Sequence, residues 1–183
     1  MSGFLGTGNF SFFTGRATAA TPVFVAGYYG SFYDTTIQTA TAINTPTAVK
    51  LNSTDLTATN GISIANDTLG NPTRITAAHT GLYNLQFSAQ LQRSSGGSSQ
   101  QLDFWIRVNN ANVSNTNTHV NVQANAGYLV TAWNFFVYLT VGQYVQLMWA
   151  TSATTIQLYY DAANLTVPYP ATPSVILTMQ QVA

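Results

Sequence analysis

Between Gly81 and Leu91 the chain alternates almost without a break. Tyr83, Leu85, Phe87, Ala89 and Leu91 fall on one parity, and Asn84, Gln86, Ser88 and Gln90 fall on the other, with Leu82 the one apolar residue among them. A period of two belongs to a strand with one face on a core, because successive side chains leave a pleated backbone on opposite sides. The same phase returns at Leu102, Phe104, Ile106 and Val108 against Asp103, Trp105, Arg107 and Asn109. A helix would scatter these residues around its circumference. Short apolar runs bounded by turn residues continue along the chain, which predicts strands at 28–39, 46–51, 61–65, 73–78, 81–91, 102–109, 118–123, 127–140, 143–151, 154–160 and 174–182. That spacing belongs to an all-β sandwich or barrel.

Composition points the same way. The chain of 183 residues has 27 threonines, no glutamate and a single lysine, Lys50. Helices draw on Glu, Lys and Leu, whereas β-branched and aromatic residues suit a pleated surface. The length is that of one domain able to enclose its own core. Charged residues make up 5% of the chain, against about 25% in an ordinary soluble domain. Its cations, Arg16, Lys50, Arg74, Arg93 and Arg107, are scattered, so no basic stripe is available to follow a nucleic-acid backbone. The absence of cysteine removes disulfide scaffolds, thiolate zinc sites and cysteine nucleophiles. Tyr128 to Trp149 is the most apolar stretch, but Thr131, Asn134, Thr140, Gly142, Gln143 and Gln146 interrupt it, which suits two strands around a glycine turn rather than a membrane helix. The first positive charge is Arg16, so the N-terminus lacks the cationic start of a secretory signal, and cytoplasmic synthesis is expected.

Residues 127–140 depart from simple alternation. Leu129, Trp133, Phe135, Val137 and Leu139 share one parity, and Tyr128, Val130, Ala132, Phe136 and Tyr138 share the other. Antiparallel sheets normally wet one face, so a strand apolar on both sides predicts a cover for the second. Another copy of the chain is the economical cover; an N-terminal arm of the same chain is the alternative. Residues 1–27 form that arm, ahead of a domain at 28–183. The arm holds Phe4, Phe10, Phe12, Phe13 and Phe24 among small residues, with no periodicity to bury them. It is either a frayed terminus or a docking arm whose phenylalanines fill pockets on a neighbouring subunit.

Chemistry-bearing motifs are sparse. Neither a nucleophile elbow nor a phosphate-cradling glycine loop occurs, and His79 and His119 lack the spacing of a metal site. No catalytic, cofactor or metal residues are predicted. Trp105 and Tyr169 either stack on sugars, as in a glycan-binding module, or cover neighbouring side chains. Ser94–Ser99 and Asn109–Asn117 read as surface loops, and Asp161–Ser174, with Pro168, Pro170 and Pro173, as a bridge into the last strand.

The runs Thr80–Phe87, Ile106–Asn110 and Leu139–Leu147, with the final Val175–Val182, resemble successive strands of the tumour-necrosis-factor-like jelly roll shared with complement globular heads. Gln86–Gln90, Ala132–Phe135 and Pro173–Leu177 further resemble uncharacterised structural proteins of tailed phages, cyanophages especially. Gln143 stands where an Asp is more usual after the glycine. The resemblance implies a ten-stranded sandwich that assembles as a homotrimer. It places Asn84, Gln86, Phe136, Tyr138 and Gln180 at the threefold contact, and Tyr83, Leu85, Phe87, Trp133, Phe135 and Val137 in the protomer core. The function expected from it is that of a non-enzymatic virion protein on the capsid surface, a decoration or cement protein whose arm grips the major capsid protein. The alternative is the receptor-binding tip of a tail fibre, showing residues 94–101 and 109–117 to host glycans. Neither a nucleic acid nor a membrane is an expected partner.

Overall fold

The computed structural model describes residues 27–123 and 127–183. Fourteen strand segments run in chain order: β1 (Tyr29–Asp34), β2 (Gln38–Thr39), β3 (Thr47–Ala48), β4 (Ser53–Thr54), β5 (Ile62–Asn66), β6 (Pro72–Ala77), β7 (Gly81–Arg93), β8 (Gln100–Val108), β9 (Ala111–Asn112), β10 (Thr118–Val122), β11 (Leu129–Leu139), β12 (Tyr144–Thr151), β13 (Ile156–Leu158) and β14 (Val175–Gln181). One three-residue 3₁₀ turn, Leu56–Ala58, lies between β4 and β5. No helix among the described residues is long and apolar enough to cross a membrane.

The strands form two antiparallel sheets of seven segments each. In the first, the order is β4-β1-β14-β7-β11, with β13 extending the β14 side of β7 and β2 beside β13. The second runs β5-β6-β12-β8-β10, with β3 along β12 and β9 along β8. The first long strand therefore lies beside the last, and β6, β7 and β8 cross from sheet to sheet in turn. This is the jelly-roll order, two interlocked Greek keys wrapped around one core. The all-β jelly-roll sandwich expected from the sequence is present.

The alternating residues face inward as their parity requires. Tyr83, Leu85, Phe87, Ala89 and Leu91 of β7 are buried against Leu102, Phe104 and Ile106 of β8 and Val145, Leu147 and Trp149 of β12. Phe87 anchors an aromatic cluster, tilted against Phe104 at 5.1 Å between centroids and parallel to Phe135 at 6.2 Å. Val137 and Leu139 complete this side of the core.

Several expectations need correction. Trp133 and Phe135 are half-buried rather than enclosed, because β11 is the outermost strand of its sheet among the described residues and its inward side chains sit at the rim of the sandwich. The strand expected over 28–39 is broken after Asp34, whose carboxylate accepts hydrogen bonds from the Thr36 amide at 2.8 Å and the Asn52 amide at 3.2 Å. Such a side-chain turn competes with the strand ladder. The 109–117 loop contains a small hairpin, since Asn109 and Asn110 take φ of 45° and 68° and fold Asn112 back onto Arg107. Two successive left-handed residues make the tight turn that antiparallel strands favour. The segment expected at 154–160 shortens to β13. In place of ten strands the described residues form fourteen segments, nine of them at least five residues long. Two-residue ladders such as β4 and β9 are too short to show periodicity. Phe4, Phe10, Phe12, Phe13 and Phe24 lie outside the described residues.

Candidate interaction surface

Strand β11 pairs with β7 along its whole length, from Leu129 opposite Leu91 to Leu139 opposite Gly81. Its other edge meets no strand among the described residues. Edge strands are usually blunted by charge, proline, bulges or brevity. This one has eleven residues, LVTAWNFFVYL, without a charge, a proline or a glycine, and its register on β7 is unbroken.

The outward side chains of β11, β7 and β14 form rows across the sheet. Phe136 lies opposite Asn84, and Asn84 opposite Gln180. Asn134, Gln86 and Thr178 form the next row, and Ala132, Ser88 and Ile176 the one after. Tyr138 stands opposite Leu82 at the far end. All five residues assigned to the threefold contact, Asn84, Gln86, Phe136, Tyr138 and Gln180, therefore share one face. The aromatic pair is open to solvent in the single chain, at 61% exposure for Phe136 and 63% for Tyr138. Val130 and Ile176 extend the apolar area. Parity with Phe136 points to Val130, but Ile176 sits at a polar-parity position of the last strand and gave no such signal.

Two adjoining hollows mark the face, one of 460 Å³ along Gln86, Ser88, Ala132 and Asn134 and one of 320 Å³ along Asn84, Gln180 and the start of β1. They share Gln86 and Thr178. No charged residue occupies these rows. Asn84 Oδ1 is buried and accepts no hydrogen bond from the described residues, an arrangement that proteins seldom leave standing. Chemically the face offers apolar area and amide hydrogen bonding, with no acid–base pair or nucleophile.

The histidines lie elsewhere. His79 stacks on Tyr28 with ring centroids 3.6 Å apart, and its carbonyl accepts the Tyr83 hydroxyl at 2.6 Å. His119 meets Asp103 on the opposite sheet. No group of metal-ligating side chains forms among the described residues.

No protein-family model matches the chain, and neither does any curated protein. Solved structures do match. One is the crystal structure of murine APRIL at pH 5.0, similar over 85% of this chain and 99% of that one, at 9% sequence identity and a TM-score of 0.48. The jelly-roll assignment rests on the order and register of this chain's own strands.

Proposed function

We propose that this chain is a non-enzymatic structural subunit that works as a homotrimer, and that its place is the capsid of a tailed phage, where it serves as a decoration or cement protein. The observation that carries self-association is β11, a long, uncharged edge strand whose outward rings stand bare. A cover from another copy would remove Phe136, Tyr138 and Val130 from water, at about 25 cal/mol for each Å² of apolar area buried. A donor from the facing copy would also satisfy Asn84 Oδ1. The threefold count and the viral setting come from the likeness to jelly-roll trimers and phage structural proteins. On the particle, the trimer would add contact area among neighbouring capsid subunits without chemistry, with residues 1–27 as the grip on the major capsid protein. Contacts of about 1,000 Å² per site suffice for this.

The first test is mass. With a chain of 19.7 kDa, light scattering on the full chain should give three times that value. A stable monomer would remove the reason for the reading, and a dimer would remove its symmetry. The second test is biological. Particles prepared without the protein should lose infectivity faster on heating, and coincident inactivation curves would end the cement role. A tail-fibre tip would use the same trimer, so labelled antibody on intact particles, marking shell or tail, separates the two locations.

A further inference from the structure

The sheet opposite β11 carries a different kind of surface. On the outward side of β8, Asp103, Trp105 and Arg107 stand in line. Register sets His119 of β10 opposite Asp103, and Asn112 of β9 opposite Arg107. Asp103, Trp105, Asn112 and His119, together with Asn44, Asn115 and Asn117, border an open hollow of 420 Å³. Half-buried Trp105 is the large aromatic group in its lining.

The polar groups around this indole are held in place before any ligand arrives. Asp103 accepts from Gln101 Nε2 at 3.1 and 2.9 Å and from Asn117 Nδ2 at 3.2 Å, and it is also paired with His119 Nδ1. Asn112 Oδ1 accepts from Trp105 Nε1 at 2.9 Å and from Arg107 Nε at 3.2 Å. These bonds use one half of each amide and one nitrogen of the imidazole. The other halves, Asn112 Nδ2, Asn117 Oδ1 and His119 Nε2, take no partner among the described residues. His119 remains 68% exposed. The hollow thus offers fixed donors and acceptors around an aromatic face, a preorganised arrangement in which little ordering remains for binding to oppose.

A ligand suited to it has an apolar face for the indole and a rim of groups that both donate and accept, since amides present both. A pyranose ring has this form. Phosphate-bearing ligands fit poorly, because the lining holds the Asp103 carboxyl and neither a lysine nor an arginine. We propose that this hollow binds a neutral pyranose sugar, with the C–H face of the ring on Trp105 and its hydroxyls on Asn112, Asn117 and His119. The site lies on β8, β9 and β10, away from β7, β11 and β14, so assembly through β11 leaves it open, and its occupation does not depend on the trimer.

Saturation-transfer NMR on the full chain is the test, with methyl glycosides of glucose, galactose, mannose and N-acetylglucosamine and their disaccharides as probes. At least one should receive magnetisation from the protein, most strongly at the ring C–H protons of one face. Trp105→Ala should lower that transfer at least tenfold, while Trp105→Phe keeps part of it. Asn117→Ala provides a second readout should Trp105→Ala fail to fold, and it too should weaken the signal. Absence of transfer from every probe, or undiminished transfer in whichever of Trp105→Ala and Asn117→Ala folds, would overturn the assignment.

Discussion

Gly30 lies under the ring of Phe32, its neighbour two positions along β1. A Cβ at position 30 would come within 2.5 Å of Phe32 Cζ and 3.2 Å of Ile62 Cβ, and Phe32 is fully buried. The ring cannot swing into solvent to make room. Gly30→Ala should therefore destabilise the fold by about 1–3 kcal/mol, the usual cost of overpacking a core. Urea unfolding would show it as a lower midpoint at unchanged slope, and an unmoved midpoint would mean that the ring relocates freely. The glycine is visible in the sequence, but the reason for it is not, because the ring that crowds it is fixed by the facing sheet. Gln143 is another such case. It stands where the likeness calls for Asp, and its Oε1 accepts the Thr140 amide at 2.9 Å, closing the turn that Gly142 makes at φ 79°. The amide oxygen holds this turn without a carboxylate.

Among the elements, β11 matters most. Its doubled parity was legible along the chain, and the structure keeps the two sets apart, with Val137 and Leu139 in the core and Phe136 and Tyr138 outside. What periodicity could not reveal is that β11 is the last strand of its sheet among the described residues, since strand order depends on which distant segments pair. The half-burial of Trp133 and Phe135 follows from that position. Tyr138→Asp should break the assembly, because the contact would have to desolvate a charge with no cation on the face to pair with it. Light scattering should then return the mass of one chain, while the circular dichroism spectrum stays that of the parent, as residue 138 points away from the protomer core. A mass unchanged by the substitution would place the contact elsewhere. Because the β7, β11 and β14 rows carry no charge, the assembly should also hold its mass from about 0.1 to 1 M salt, a range over which surface ion pairs are screened out.

For the whole molecule, sparse charge shapes the response to pH. Burial pushes the Asp67 carboxyl up, but hydrogen bonds from the Asn71 and Leu69 amides and the Thr73 hydroxyl outweigh it and hold the group below its ordinary value of 3.8. The Thr57 hydroxyl and amide do the same for the exposed Asp55. A carboxyl lowered on folding stabilises fully above its unfolded value, and that contribution is lost as pH falls through the folded one. The part of the thermal midpoint that these two carboxyls support should thus hold down to about pH 5 and decline only below about pH 4, where they take up protons. Asp67→Asn should soften that decline. Scanning calorimetry checks both, and a marked fall already at pH 5 would contradict them. The second sheet shows the limit of sequence reading at this scale. Trp105 was open to two readings along the chain, and only the folded chain sets Asp103, Asn112, Asn117 and His119 around it.

The amino-acid order by itself determined that the chain folds as strands, which residues of each long strand turn inward, and that one strand is apolar on both sides. All three follow from the period of two in an extended backbone, a property of near neighbours. Tertiary structure alone decided that this strand has no partner on its outer edge among the described residues, and that an indole, four amides and an imidazole from three strands and two loops meet in one hollow. Those facts depend on pairings between residues far apart in the chain, and the energy that selects such pairings comes from burying a shared core rather than from any local pattern.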